Sequence, residues 1–181
     1  ADGSPQSERA VPNLGTDWGR HTMTVAFNII TYAGYGLLLA AMIAYAALKG
    51  IKTSARQGVV WGFCGFVAVQ LAPAIGLPPE LPGTIGPEVG SRQIWWLFTI
   101  VATSIGIGLI AFGRGYLTLA SIPIIALPQL IGAPQLDVFF GVAPPELAAE
   151  FVTLSLGCAA AGWVILGYTV SAMLFRLEES I

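Results

Sequence analysis

Four polar side chains of this apolar chain are of types that bind cations: Glu80, Gln70, Gln129 and His21. Glu80 lies in the stretch GLPPELPGTIGPEVGSRQIWW, where the surrounding prolines restrict its position. A restrained carboxylate is well suited to capture a cation. The same carboxylate could instead pair with Arg92, as a rim salt bridge worth at most ~1 kcal/mol when exposed.

The two glutamines each lie near a proline, Gln70 three residues before Pro73 and Gln129 directly after Pro128. A proline within a helix lacks an N–H group and therefore frees the carbonyl four residues earlier. In lipid a freed carbonyl must find another partner, which the glutamine amides could supply. Alternatively, the freed carbonyls and the amide oxygens together offer a weak oxygen site to a passing cation.

His21 precedes Met23 by two residues, at the predicted mouth of the first helix. Histidine and methionine together suit a soft or borderline metal, although a histidine at a membrane interface also serves as a polar anchor. No acidic or basic residue is predicted mid-helix, which argues against a proton pump or a voltage sensor. The sequence contains no nucleophile–base pair, phosphate loop or haem motif, so we predict that the chain is not an enzyme.

The composition predicts that a lipid bilayer surrounds these residues. Of 181 residues, 55% are hydrophobic and 10% are charged, whereas soluble domains carry about 25% charged residues. A membrane-crossing helix needs about 20 mostly apolar residues. We therefore predict an all-α polytopic transmembrane bundle of about five helices, over residues 22–48, 58–75, 93–112, 116–131 and 147–175. No basic run suggests nucleic acid.

The distribution of basic residues predicts the orientation of the bundle. Residues 1–21 form a polar external tail, residues 22–176 the bundle, and residues 177–181 a short cytoplasmic tail. Lysines and arginines concentrate in cytoplasmic loops, and five of the eight basic residues fall on one side of five crossings. This arrangement places the N-terminus outside and the C-terminus inside, in a membrane that we expect to be the bacterial inner membrane.

Two sequence features are predicted to organise the helices. The glycines of GVVWG, Gly58 and Gly62, and the pair Ser104 and Gly108 have the spacing that lets helix backbones approach closely. Trp95 and Trp96 are predicted at the start of a helix at headgroup level, where tryptophan belts are common.

The segments LAPAIGLPPELPG, SRQIWWL and ALPQLIGAPQ together resemble the CbtA family of predicted cobalt transporter subunits, which are membrane proteins associated with cobalamin metabolism. The resemblance extends from about the first helix to the C-terminus and is most specific in these three segments. The matching positions include Pro73, Gly76, Leu77, Pro78, Pro79, Glu80, Leu81, Pro82, Gly83, Arg92, Gln93, Trp95, Trp96, Pro128, Leu130, Ile131, Gly132, Ala133, Pro134 and Gln135.

The chain differs from the family pattern at Gln129, where the resemblance implies a histidine. If that histidine is a metal ligand, this chain has lost it. Family members also usually begin with a further hydrophobic helix, which does not occur in this sequence. The resemblance implies a small single-span histidine-rich companion as a partner, and transported Co²⁺ rather than a bound cofactor.

Two functions follow as hypotheses. The first is a membrane subunit of a divalent metal transporter, with cobalt as substrate and with Glu80, Gln70, Gln129 and His21 along its polar path. No ATP-binding motif is present, so a gradient or a partner would supply the energy. The second is a non-transporting structural or accessory subunit of a larger membrane complex, for example a photosynthetic or respiratory assembly. The scarcity of metal ligands favours this second function.

Overall fold

The computed structural model describes residues 17–51, 53–81, 84, 86–136 and 144–179. These residues are helical and include no strand, which confirms the all-α prediction. The chain divides into two compact units, residues 1–35 and residues 36–181. The helices are α1 (Trp18–Leu48), α2 (Ala55–Phe66), a π-helical turn (Val67–Leu71), α3 (Ala72–Ala74), α4 (Val89–Phe112), α5 (Tyr116–Leu119), α6 (Ser121–Ile131) and α7 (Pro145–Glu179).

Four helical segments are long and apolar enough to cross a bilayer, and a fifth is shorter. The long ones are Trp18–Leu48, Ala55–Ala74, Val89–Phe112 and Pro145–Leu177. The shorter apolar segment, Tyr116–Ile131, is the fifth predicted span. It is interrupted at Ala120, three residues before Pro123. The prediction of about five membrane helices is thus confirmed.

The helices begin earlier than hydropathy alone predicts, because polar capping residues extend them beyond the apolar run. Asp17 accepts the backbone N–H of Arg20 at 3.1 Å, so α1 starts at Trp18 rather than near Thr22. Ser54 and Gln57 form a reciprocal capping box at the start of α2. At the other end of the chain, α7 continues to Glu179, beyond the predicted end at residue 175.

Within residues 36–181, the backbones of α2 and α7 come into contact where their glycines face each other. A Cβ atom added to Gly62 would overlap the carbonyl oxygen of Trp163. One added to Gly167 would lie 2.7 Å from the Cα atom of Gly62. The predicted role of Gly58 and Gly62 in close packing is therefore confirmed, and Gly167 is their counterpart on α7.

The second close contact joins α4 and α6, and here the sequence prediction was wrong. Gly108 has open space where a Cβ atom would lie. Gly106 is the residue that meets α6, because its added Cβ atom would overlap the side chain of Ile125. On the same face of α4, Thr99 and Thr103 are fully buried.

Candidate functional site

A cavity of about 490 Å³ lies between the π-helical turn, α3, the loop that follows α3, and helices α4 and α7. Its apolar walls include Pro73, Pro78, Pro79 and Trp96, which the sequence motifs contain. The polar side chains among its described lining residues are Gln70, Glu80, Arg92, Gln93 and Ser155. Two of the predicted polar residues, Gln70 and Glu80, therefore line the same cavity. Arg92, the predicted ion-pair partner of Glu80, lines it as well.

Glu80 and Arg92 form an ion pair at the edge of this cavity. Arg92 donates from Nη2 to Oε2 of Glu80 at 3.1 Å, and about a third of each side chain is exposed. Gly86 lies directly against the guanidinium group, since an added Cβ atom would overlap Arg92 Nη1. The predicted salt bridge is therefore present. Its partial exposure means that it contributes little to stability by itself.

Gln70 lies in the π-helical turn that precedes Pro73. There the N–H of Ala72 donates to the carbonyl of Val67, five residues earlier. Single π turns of this type occur frequently at functional sites. The side chain of Gln70 lines the cavity, while its Oε1 atom is buried and has no hydrogen-bond partner among the described residues.

Gln129 does not line the cavity and instead joins two helices behind it. Its Nε2 atom donates to the carbonyl oxygen of Ala72 at 3.0 Å, rather than to the carbonyl of Ile124 that Pro128 frees. Ala72 precedes Pro73, which is a wall residue of the cavity. A histidine ring N–H is also a donor, so the histidine implied at this position could make the same bond without binding metal.

Two further hydrogen bonds join the same segments. Trp95, which is 5% exposed, donates from Nε1 to the carbonyl of Pro128 at 3.1 Å. Gln135 donates from Nε2 to the carbonyl of Gly76 at 3.2 Å. The Gly76 carbonyl lies where Pro78 and Pro79 supply no N–H donors, so a side-chain donor is needed there. Trp95 is therefore a buried connector between α4 and α6, and its position at headgroup level stays a prediction.

Trp96 differs from its neighbour because it is 40% exposed and lines the cavity. Gly132 ends α6 with a positive φ of 86°, a conformation that glycine adopts without the penalty of a Cβ atom. Pro134 follows in the described segment that leads to Gln135. Pro82 and Gly83 lie outside the described residues.

His21 lies in the other unit, residues 1–35, and is exposed within the first turns of α1. Met23 is 76% exposed. In the part of the chain that the structure describes, no three His, Cys, Asp or Glu residues form a group that could hold a metal ion. Of the predicted polar residues in residues 36–181, Gln70 and Glu80 line the cavity and Gln129 does not.

Glu88 orients the entry into α4, next to the cavity residues Val89 and Arg92. Its carboxylate accepts the N–H groups of Ser91 and Gly90 at the helix N-terminus. The backbone and hydroxyl of Ser91, and then the backbone of Gly90, lower the pKa of Glu88 below its ordinary value. This cap is fully formed at neutral pH, and its stabilisation is lost as the pH falls through the lowered pKa.

The α7 wall of the cavity was missed by the sequence predictions. Ser155, Leu156 and Ala159 form this wall. They belong to a long apolar helix and carry no proline, charge or motif that separates them from lipid-facing residues. Gly167 was a weak indication that α7 packs closely against another helix, because small residues are common where membrane helices meet.

Comparison with known proteins identifies the family. The family model described as "Probable cobalt transporter subunit (CbtA)" matches residues 3–175, nearly the whole chain. No curated protein and no solved structure matches the chain. The family is one of transporter subunits, and the second hypothesis, an accessory subunit of a different assembly, has no support from this match. With its four long apolar helices, the chain is an integral membrane protein that belongs to the CbtA family of probable cobalt transporter subunits.

Proposed function

We propose that this subunit moves a divalent cobalt cation across the membrane, and that the cavity bounded by the π-helical turn, α3, α4 and α7 is where the cation binds. The observation that supports this most is the position of Glu80. Its carboxylate is held beside a cavity within an otherwise apolar bundle, and Gln70 is a second polar residue among those that line it. Gln129 acts behind the cavity wall through Ala72 and does not touch the cation.

The ion pair with Arg92 is compatible with cation binding by Glu80, because a cation can displace the guanidinium group. At rest, the guanidinium keeps Glu80 paired and the cavity edge neutral. An arriving cation competes with Arg92 for the same carboxylate. Before a cation arrives, Arg92 neutralises the Glu80 carboxylate at the edge of the cavity. The carboxylate is therefore not left as an unpaired charge in apolar surroundings, which would be destabilising.

Substitution of Glu80 tests this function. In cells that lack their own cobalt uptake and express the chain with its partners, Glu80→Gln should reduce the initial rate of Co²⁺ uptake about tenfold or more. The neutral amide no longer attracts the cation by its charge, and a tenfold change corresponds to only about 1.4 kcal/mol. Glu150→Gln is the matched control, because Glu150 is exposed on α7 and is not a lining residue of the cavity.

A second variant separates cation binding from a purely structural salt bridge. Arg92→Gln also breaks the ion pair but leaves the carboxylate in place, so Co²⁺ uptake at low concentration should be retained or increased. Equal losses of uptake in Glu80→Gln and Arg92→Gln would show that the pair only holds the loop, and would contradict the proposal.

We further propose that the chain lies in the bacterial inner membrane with residues 1–21 outside, residues 22–176 as the bundle, and residues 177–181 in the cytoplasm. The excess of basic residues in the α1–α2 and α4–α5 loops supports this orientation. It requires that Tyr116–Ile131 crosses the membrane. This segment spans only about 24 Å as a helix, so it would need a thinned bilayer or the adjoining loops.

Cysteine labelling measures the orientation directly. With Cys64 and Cys158 replaced by alanine, single cysteines at Thr84 and Arg114 should differ in reactivity toward a membrane-impermeant maleimide in intact spheroplasts. Thr84→Cys should be labelled from outside, and Arg114→Cys only after the membrane is opened. The reverse pattern would overturn the orientation.

As a transporter subunit, the chain also needs partner membrane proteins. We propose that these include the single-span histidine-rich companion implied by the resemblance. The sequence has no ATP-binding motif, so a gradient or such a partner supplies the energy.

A further inference from the structure

We propose that α1 pairs with α1 of a second copy of the chain, through a polar stripe made of Thr24, Asn28 and Thr31. Pairing of this kind does not depend on the proposed cation transport. Three properties of α1 support it: the spacing of the polar residues, their depth in the membrane, and the face of the helix on which they lie.

The polar stripe has the spacing of a seam between two helices. Thr24, Asn28 and Thr31 are four and then three residues apart, so they lie on one face of α1. Apart from tyrosines, they are the polar residues between Met23 and Ala44. A repeat of this kind keeps one face of a helix directed toward its partner in a left-handed helix pair.

The polar stripe extends into the part of α1 that lipid surrounds. The nearest charged residues on either side are Arg20 and Lys49. A hydrocarbon core of about 20 residues centred between them includes Asn28 and Thr31. A polar group that faces lipid without a partner is destabilising. Polar side chains of membrane helices therefore commonly form hydrogen bonds with another helix.

The side chain of Asn28 keeps hydrogen-bonding groups for such a helix. Its Nδ2 atom donates to the carbonyl of Thr24 at 2.8 Å, which uses one of the two N–H groups of the amide. Among the described residues of its own unit, none donates a hydrogen bond to its Oδ1 atom. Thr24 and Thr31 donate their hydroxyls to carbonyls of α1, at 2.9 and 2.8 Å. Asn28 is therefore the residue of the stripe that retains both a donor and an acceptor.

The part of α1 within residues 36–181 shows which face of the helix packs against its own bundle. Its buried residues each directly follow an exposed one. The buried residues are Leu39, Ile43 and Ala46, and the exposed ones are Leu38, Met42 and Tyr45. The exposed set continues the spacing of the polar stripe, seven residues on from Thr31. The stripe thus lies on a face that is rotated by about 100° from the packed face.

A second copy of the chain fits these groups because the stripe is complementary to itself. An amide carries both a donor and an acceptor, so two Asn28 side chains that face each other can exchange hydrogen bonds. Two copies inserted in the same direction pair in parallel about a two-fold axis, and each seam residue then meets its own counterpart. A single asparagine at such a position specifies the register and the number of helices in a coiled coil.

Disulfide cross-linking of the full chain in membranes tests the pairing. With Cys64 and Cys158 replaced by alanine, Thr31→Cys should form a covalent dimer when the membranes are treated with copper phenanthroline as oxidant. Ala33→Cys is the matched control, because residue 33 lies at a similar depth on the opposite side of α1. It should form little dimer under the same conditions.

Substitution of Asn28 measures the contribution of its amide. Asn28→Leu should raise the dissociation constant of the dimer in detergent about tenfold, or about 1.4 kcal/mol, as for hydrogen bonds between model membrane helices. Ile29→Leu changes the neighbouring residue on another face and should leave the dissociation constant unchanged. Analytical ultracentrifugation of the full-length proteins makes both measurements.

The outcomes decide between pairing through the stripe and the other arrangements. Cross-linking of Thr31→Cys but not of Ala33→Cys, together with weaker association of Asn28→Leu, would support the proposal. Equal cross-linking at both positions would indicate random collision and would overturn it. A chain that sediments as a monomer, or a dissociation constant unchanged in Asn28→Leu, would also overturn it. Cross-linking of Thr31→Cys only to a different protein would assign the stripe to another partner and reject the second copy.

Discussion

Gly62→Ala is expected to prevent the chain from forming its stable helical bundle. The added Cβ atom would overlap the carbonyl oxygen of Trp163, and it would also lie 3.1 Å from the Cα atom of Gly167. Both are backbone atoms of α7, so neither can rotate away as a side chain would. Overpacking in a core typically costs 1–3 kcal/mol, and we expect about 3 kcal/mol or more here because α2 and α7 must move apart as whole helices.

The measurement is thermal unfolding in mild detergent. After each heating step, size-exclusion chromatography gives the fraction of the protein that still elutes as a single species. Gly167→Ala should have the same effect as Gly62→Ala, since its Cβ atom would meet the backbone of Gly62 from the other side. Gly157→Ala is the matched control on α7, where the same methyl group meets open space. Equal thermal stability of Gly62→Ala and Gly157→Ala would show that this helix crossing is not as close as the structure describes.

Trp95→Ala is expected to give a loss of stability as large as that of Gly62→Ala, while Trp96→Ala should have a small effect. Trp95 is buried against Gly76, whose added Cβ atom would lie 2.7 Å from the indole ring. It also donates to the carbonyl of Pro128. Truncation of a buried tryptophan typically costs 3–5 kcal/mol. Trp96 is 40% exposed, so its truncation removes fewer packing contacts.

Trp95→Phe separates the hydrogen bond from the packing. Interhelical hydrogen bonds in membranes contribute about 0.6 kcal/mol on average, and the Pro128 carbonyl keeps the N–H of Gly132 as a donor. Trp95→Phe should therefore retain most of the stability that Trp95→Ala loses. Thermal unfolding of the four proteins in one detergent makes the comparison. Similar losses for Trp95→Ala and Trp96→Ala would contradict the assignment of Trp95 as the connector of α4 and α6.

The stretch around Glu80 was the most informative part of the sequence. Its prolines and glycines predicted a stiff turn between two spans, and the short separation of Glu80 from Arg92 made their ion pair a clear alternative. The stiffness of the turn stays a prediction. The ion pair joins residues close together in the chain, and it is present. Its position in the cavity, however, also depends on Ser155 and Ala159 of α7, more than 70 residues further along.

Gln129 illustrates why a neighbouring proline is an incomplete guide. Its distance from Pro128 suggested that the amide would serve a carbonyl of its own helix. In the folded chain the amide donates to the carbonyl of Ala72, which also accepts a long hydrogen bond of 3.4 Å from the N–H of Ile75. Only the placement of α6 beside Ala72 brings the amide within reach.

The sequence by itself determined the all-helical membrane fold, the approximate spans, the turn that holds Glu80 and the family. Composition and local chain geometry decide these features. The tertiary structure decided which faces of the helices meet: Gly167 against Gly62, Trp95 against Pro128, and α7 as the fourth wall of the cavity. Hydropathy cannot distinguish these faces, since lipid and the interior of the bundle are equally apolar, and helices in a bilayer associate through shape and hydrogen bonding rather than through the hydrophobic effect.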